Sequence, residues 1–208
     1  MLNIALPKGR LGNKVYNLLE KIGYECKEIK EDNRKLIFEN REKDIRFLLV
    51  KPSDVGIYVE KGAADIGFIG KDILLENTYD IYELLDLEFG KCKISVAALN
   101  SYMEDNERKL RVATKYVNIA KKYYLSQNRE VEIIKLSGSI ELAPILNLSD
   151  VIVDIVETGD TLRENNLKVI ADIEEISARF IVNKVSLKFK NKVIENIVNK
   201  VREALWLK

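Results

Sequence analysis

The stretch Val151-Ile-Val-Asp-Ile-Val-Glu-Thr-Gly-Asp-Thr-Leu-Arg-Glu-Asn165 combines three structural signals in one short segment. Its apolar first half predicts a buried strand, Gly159 predicts a tight turn, and the residues after the turn are typical of a helix. A glycine turn between a strand and a helix exposes backbone N–H groups that can bind a phosphate. A plain helix N-cap, with Thr158 or Asp160 as the capping residue, is the alternative interpretation. The pattern alone leaves both open.

Outward from this segment, apolar runs of strand length alternate with helical patterns. This alternation predicts an α/β architecture with parallel sheets. The polar stretch 100–109 predicts a boundary between two lobes, and residues 192–207 carry the apolar spacing of an amphipathic helix. Ligands of such folds bind at the carboxyl ends of strands, often in a crevice between lobes.

The composition excludes several classes of chemistry. The 208 residues are 47% hydrophobic and 32% charged, with a formal charge of +1, which disfavours general nucleic-acid binding. No apolar run approaches the roughly 18 residues that span a bilayer. Two cysteines, Cys26 and Cys92, are too few for a disulfide framework and predict a reducing cytoplasm. The chain has no histidine, so a Ser-His-Asp triad, a Cys-His pair and histidine metal ligands are excluded.

Four segments occur in an order that is typical of one enzyme family. They are Ile4-Ala-Leu-Pro-Lys-Gly-Arg-Leu11, Lys51-Pro-Ser-Asp-Val55 with the block from Tyr58 to Asp72, Arg111-Val-Ala-Thr-Lys-Tyr116, and Glu141-x12-Asp154 with the loop after it. Together they resemble the ATP phosphoribosyltransferase family across essentially the whole chain, and the length is similar to that of its short form. Three positions depart from the family pattern: Lys51 replaces a usual Arg, Gly56 a common Pro and Asn147 a common Gly.

The resemblance implies an enzyme of histidine biosynthesis that transfers the phosphoribosyl group of phosphoribosyl pyrophosphate to N1 of the ATP adenine. Pyrophosphate leaves, and Mg²⁺ is required. A chain without histidine suits this reaction, because adenine N1 already carries a free lone pair. Catalysis would then consist of positioning two anionic substrates and stabilising the leaving group.

The implied fold is a two-lobed one similar to type II periplasmic binding proteins, with a ligand cleft between the lobes. Residues 1–100 and 174–208 are expected to form lobe I, and residues 101–173 lobe II with the phosphoribosyl pyrophosphate loop.

In lobe II, the resemblance assigns seven residues to the phosphoribosyl pyrophosphate site. The 5-phosphate would bind at Glu157, Thr158, Gly159, Asp160 and Thr161, the ribose at Asp154, and Glu141 would orient Mg²⁺ or a ribose hydroxyl. A solvated carboxylate at a helix start explains Glu141 equally well on sequence alone. Mg²⁺ is expected mainly on the substrate phosphates, with no protein side chain assigned as its ligand.

In lobe I, the resemblance implies that Lys8, Arg34 and Lys51 are catalytic residues that stabilise the leaving pyrophosphate. Arg34 would reach across a homodimer. Lysine at position 51 keeps the positive charge of the family arginine but loses its planar fork. The predicted ATP-binding residues are Lys8, Gly9, Arg10 and Asp65. Without the resemblance, the same residues also fit a solvated basic loop, a turn between strands and a turn cap.

The resemblance further implies a hetero-oligomer with a regulatory subunit related to histidyl-tRNA synthetase, and neither nucleic-acid nor membrane partners. One alternative is a non-catalytic two-lobed module that binds a nucleotide or sugar phosphate. A weaker one is a phosphoribosyltransferase that acts on another base. Lys8, Arg10 and Arg34 favour an enzyme over a binder, because a binder has no leaving pyrophosphate to stabilise. The match over the whole chain argues against another base.

Overall fold

The computed structural model describes residues 1–31, 34–105 and 107–206, in which strands and helices alternate. The strands are β1 (Leu2–Pro7), β2 (Ile37–Asn40), β3 (Ile45–Val50), β4 (Ile66–Gly70), β5 (Ile81–Asp86), β6 (Cys92–Leu99), β7 (Leu110–Thr114), β8 (Val131–Lys135), β9 (Val151–Val156), β10 (Leu167–Ile176) and β11 (Ala178–Asn183). The helices are α1 (Arg10–Lys21), α2 (Val55–Glu60), α3 (Lys71–Glu76), α4 (Val117–Ser126), α5 (Leu142–Ile145), α6 (Asp160–Glu164), α7 (Lys184–Phe189) and α8 (Asn191–Trp206). Among the helices described, none is long and apolar enough to cross a membrane.

The first unit is built on a six-stranded sheet in the order β2-β3-β1-β4-β11-β5. It comprises Met1–Leu74, Thr78–Gly90 and Ser177–Lys208. β1 runs parallel to β3 and β4, whereas β2, β5 and β11 join by antiparallel pairing. The register places Pro7 opposite Val50, so the segments that follow β1 and β3 leave the sheet at the same edge.

Helices α1 and α8 cover a large apolar cluster of the first sheet. On α8, four side chains at helical spacing are buried: Ile194, Ile197, Val198 and Val201. This is the apolar stripe predicted for residues 192–207, of which Leu207 lies outside the described residues. Phe68 and Phe180 of adjacent strands meet edge to face within the same cluster, with ring centroids 4.9 Å apart.

The second unit is built on a five-stranded sheet in the order β10-β6-β9-β7-β8. It comprises Leu75–Asn77 and Lys91–Ile176. β7, β8 and β9 are parallel, and β6 is antiparallel to both of its neighbours. Two apolar clusters pack on this sheet, one with residues of α4 and the other with residues of α5 and α6. The carboxyl ends of β7 and β9 therefore lie side by side, and α6 follows β9 directly.

The predicted boundary at 100–109 lies inside the second unit. Within this stretch, Asn106 lies outside the described residues. β6 pairs with β9 and β10, so residues 91–100 belong to the second unit and not to lobe I as expected. The chain returns to the first unit after β10. This strand continues to Ile176, just beyond the expected boundary at 173. Only tertiary pairing assigns β6 to its sheet, because its apolar sequence fits a buried strand of either unit.

Asp65 is a structural residue, in contrast to its predicted role in ATP binding. It precedes β4 at the amino edge of the sheet and is 4% exposed. Its carboxylate accepts hydrogen bonds from the N–H of Asn3 (2.8 Å), the hydroxyl of Ser186 (2.6 Å) and the ammonium of Lys190 (2.7 Å). Burial by itself raises the pKa of Asp65, but these three donors outweigh burial and hold the pKa below its usual value.

We therefore expect Asp65→Asn to lower the free energy of unfolding by about 2 kcal/mol at neutral pH, because it leaves Lys190 without its buried partner. Since the pKa of Asp65 is lowered by folding, its contribution is present above the ordinary carboxyl range and lost at lower pH. The difference in free energy of unfolding between the wild type and Asp65→Asn should therefore become smaller below about pH 4. Urea unfolding at several pH values measures this difference.

The matched control is Asp80→Asn, which removes the exposed partner of Lys184 at the start of α7. Exposed ion pairs contribute little, so this variant should unfold like the wild type. Equal decreases in the free energy of unfolding for Asp65→Asn and Asp80→Asn would contradict the structural role of Asp65.

Candidate functional site

A pocket of about 240 Å³ in the second unit brings together the residues predicted to bind phosphoribosyl pyrophosphate. All seven line it: Glu141, Asp154, Glu157, Thr158, Gly159, Asp160 and Thr161. They come from the segment before α5, from β9 and from the turn that leads into α6. Parallel pairing of β7 with β9 places this pocket at the carboxyl edge of the sheet, where α/β folds bind their ligands.

The turn after β9 depends on glycine. Gly159 has φ 76°, a left-handed conformation that side chains rarely adopt, and it occupies the N-cap position of α6. Neither Thr158 nor Asp160 is the N-cap, and no side chain described caps the first turn of α6. The N–H of Asp160 donates to Thr158 Oγ1 at 3.4 Å, and no described side chain caps the remaining N–H groups of the turn, as a phosphate loop requires.

Side chains of the loop are held by contacts within it. The Thr158 hydroxyl donates to Asp160 Oδ2 at 2.6 Å. Arg163 donates to the carbonyl oxygen of Thr158 at 3.1 Å and also pairs with the Asp160 carboxylate. These contacts connect residues of the turn with the first turn of α6 and so hold the loop in place.

Several carboxylates line the pocket, and the side chain of Asp154 is 21% exposed. Burial raises the pKa of Asp154, the ammonium of Lys115 acts against this rise, and the charge of Glu141 adds to it. Lys115 Nζ lies 3.6 Å from Asp154 Oδ1. Lys115 is not among the site residues predicted from the sequence. Its position directly after a strand of the second lobe, beside the strand that carries Asp154, was the available signal.

A larger pocket of about 710 Å³ lies in the first unit, lined by Lys8, Gly9 and Arg34 together with Lys30 and Lys35. Since β2 is antiparallel to β3, the residues before β2 lie at the edge where β1 and β3 end. The start of α1 is packed tightly against this edge, because a Cβ at Gly12 would lie 1.7 Å from the carbonyl oxygen of Pro7.

Three other predicted residues of the first unit do not line this pocket. Lys51 follows β3 at the same edge as Lys8, whose N–H donates to the Val50 carbonyl at 2.8 Å. Arg10 is the first residue of α1 and is exposed. Asp65 lies at the opposite edge of the sheet, so only Lys8, Gly9, Arg10, Arg34 and Lys51 share the carboxyl edge.

Metal-binding side chains are not clustered in the part of the chain that the structure describes. No three Cys, Asp or Glu side chains there are placed to hold one ion. The carboxylates that line the second-unit pocket are hard oxygen donors of the kind that Mg²⁺ prefers, usually through water. They suit a magnesium ion whose direct ligands come from a substrate.

Known proteins that are similar in sequence to this chain share one name. The family model described as HisG: ATP phosphoribosyltransferase matches residues 51–203, which include every residue of the second-unit pocket. A protein named ATP phosphoribosyltransferase from Brachyspira hyodysenteriae is 72% identical over 206 residues, covering 99% of this chain and 100% of that protein.

Solved structures agree as well. A chain of the ATP phosphoribosyl transferase (HisG:HisZ) complex from Thermotoga maritima superposes with a TM-score of 0.87 at 36% identity and covers 100% of both chains. The periplasmic aliphatic sulphonate binding protein SsuA from Escherichia coli superposes with a TM-score of 0.61 at 14% identity, covering 99% of this chain and 72% of that one. This second likeness concerns the fold alone, which is the two-lobed α/β fold of type II periplasmic binding proteins.

Proposed function

The chain belongs to the ATP phosphoribosyltransferase family, and from that premise we propose how its residues divide the reaction. The enzyme transfers the phosphoribosyl group of phosphoribosyl pyrophosphate to N1 of the ATP adenine and releases pyrophosphate, the first step of histidine biosynthesis. The convergence of seven predicted residues on one pocket is the observation that supports the division proposed below.

The loop from Glu157 to Thr161 binds the 5-phosphate of phosphoribosyl pyrophosphate. Gly159 lets the backbone approach the phosphate, and the hydroxyls of Thr158 and Thr161 add donors. The carboxylates of the pocket face hydroxyl groups instead: Asp154 accepts a hydrogen bond from the ribose. Glu141, which lines the same pocket, orients Mg²⁺ or a ribose hydroxyl.

The carboxyl edge of the first sheet holds the triphosphate of ATP and the leaving pyrophosphate. Lys8, Gly9 and Arg10 bind ATP, and Lys8, Arg34 and Lys51 stabilise the charge that develops on pyrophosphate. Arg34 does this across a homodimer. No general base is needed at adenine N1, so positioned cations account for the chemistry of a chain without histidine.

Mg²⁺ accompanies the pyrophosphate of the substrate. When bound, it neutralises part of the phosphate charge and makes pyrophosphate a better leaving group. Of the protein side chains, Glu141 would orient the ion, whose ligands would come mainly from the substrate phosphates.

A regulatory partner and a cytoplasmic location complete the proposal. The Thermotoga maritima neighbour was solved as a HisG:HisZ complex, which supports assembly of this chain with a subunit of the HisZ type. We expect that subunit to be the relative of histidyl-tRNA synthetase and to carry feedback inhibition. The non-catalytic binder is not favoured, because a relative that is 72% identical to this chain is named as a transferase.

The phosphate loop is tested with Gly159→Asp. A carboxylate about 4 Å from the bound phosphate repels it by about 4 kcal/mol near a protein surface, so affinity for phosphoribosyl pyrophosphate should fall at least about 100-fold. Titration calorimetry measures the binding, and mass spectrometry measures phosphoribosyl-ATP formed with ATP and Mg²⁺.

Gly159→Asn is the matched control for this substitution. Asparagine has the size of aspartate and tolerates a left-handed backbone, but it carries no charge. It should therefore lose much less affinity than Gly159→Asp. Unchanged binding in Gly159→Asp would refute the loop assignment.

Arg34→Ala should lower kcat by about 100-fold and change the KM for ATP by less than about threefold, if Arg34 stabilises the leaving group in the transition state. Steady-state kinetics with each substrate varied separates the two effects. Arg41→Ala, in the exposed turn between β2 and β3, is the control and should behave like the wild type. A rise in the KM for ATP alone would make Arg34 a ground-state contact.

The dependence on the partner is tested with the isolated chain. Product without any partner shows an active catalyst, and product only after addition of the HisZ-type subunit shows a partner-dependent one. Absence of product in both mixtures would favour the binding module.

A further inference from the structure

Lys115 lies at the carboxyl end of β7, beside the strand that carries Asp154. The register pairs Thr114 with Val153, so the residue after β7 and Asp154 of β9 are neighbours at the edge of the sheet. Lys115 Nζ is 3.6 Å from Asp154 Oδ1 and 4.8 Å from the centre of the Tyr116 ring. The lysine is therefore held by two contacts, one ionic and one with the ring face.

Among the described residues, the two polar contacts of the Asp154 side chain are made by one carboxylate oxygen. Oδ1 accepts the N–H of Ile155 at 2.8 Å and faces Lys115. Within the described residues, no donor is hydrogen-bonded to Oδ2. The carboxylate thus has one oxygen tied to the protein and one oxygen available to a ligand.

The charge balance of the pocket explains why a lysine is needed here. Glu141, Asp154, Glu157 and Asp160 all line it, and none of its described lining residues is a cation. Arg163, near the phosphate loop, is engaged with Asp160 and the Thr158 carbonyl. An anionic substrate that approaches four carboxylates is repelled unless a nearby cation offsets them.

We propose that Lys115 is a positioning residue of the phosphoribosyl pyrophosphate site, which neutralises Asp154 at Oδ1 and thereby turns Oδ2 toward the ribose hydroxyls. This inference rests on the proposed function, because it concerns the same site. Lys115 acts through Asp154, and it touches neither the reacting carbon nor the adenine. Its side chain is 42% exposed and that of Asp154 21%, so a substrate can reach the pair from solvent.

The test is Lys115→Met in the full chain, assayed with its regulatory subunit if the wild type requires one. The KM for phosphoribosyl pyrophosphate should rise about tenfold, while the KM for ATP and kcat change by less than about threefold. Lys115→Arg keeps the cation and should restore most of the loss. Lys121→Met, on the exposed face of α4, removes a lysine of the same unit outside the pocket and should have no effect.

Coupling to Asp154 distinguishes positioning from a general effect of charge. If Lys115 acts through Asp154, adding Lys115→Met to Asp154→Asn should cause no further loss. If the increases in KM caused by Lys115→Met and by Asp154→Asn multiply in the double variant, the inference is overturned. An unchanged KM for phosphoribosyl pyrophosphate in Lys115→Met would overturn it as well. Should Lys115→Met fail to fold by circular dichroism, Lys115→Gln provides the same measurement with a polar side chain.

The outcome for Lys115 is separable from that of the proposed function. A wild type that makes product and is inactivated by Gly159→Asp, together with a normal Lys115→Met, removes the inference alone. Loss of the proposed function would appear in the wild type and in Gly159→Asp, whatever Lys115→Met does.

Discussion

Parallel strand pairing is the constraint on which both candidate sites depend. In the first sheet it aligns the ends of β1 and β3, and in the second it aligns the ends of β7 and β9. Residues far apart in the chain, such as Lys8 and Lys51, or Lys115 and Asp154, therefore lie close to one edge of their sheet. The same geometry excludes Asp65, which precedes its strand and lies at the other edge.

Two aspartates show how partners decide whether a buried carboxylate is structural or free for a ligand. Both oxygens of Asp65 are bonded to donors of the chain, and folding lowers its pKa. Asp154 has one bonded oxygen and a raised pKa, because burial is only partly compensated. A carboxylate of the second kind gains from an additional donor, and a ribose hydroxyl supplies one.

Local pattern was sufficient where the structure is decided locally. The apolar run of β9, the glycine after it and the stripe of α8 were all predicted, because each depends on residues close in the chain. The departure at Asn147 also has a local reason: its φ of 55° is one that glycine adopts freely and asparagine tolerates. The sheet to which β6 belongs is decided by tertiary contacts. The edge strand β5 also depends on them, because its burial shows no regular alternation that a sequence pattern could reveal. The role of Asp65 does as well, since its partner Lys190 lies 125 residues away.

The distribution of charge between the units fits a reaction that needs positioning more than proton transfer. The second-unit pocket offers hydroxyls and carboxylate oxygens, which suit a ribose and its 5-phosphate once a lysine offsets the negative charge. The edge of the first sheet offers lysines and arginines, which suit pyrophosphate and triphosphate groups. The nucleophile of this reaction has a free lone pair, and the leaving group carries several negative charges. The protein therefore has to supply hydrogen-bond acceptors at the sugar and cations at the phosphates. A chain without histidine can supply both.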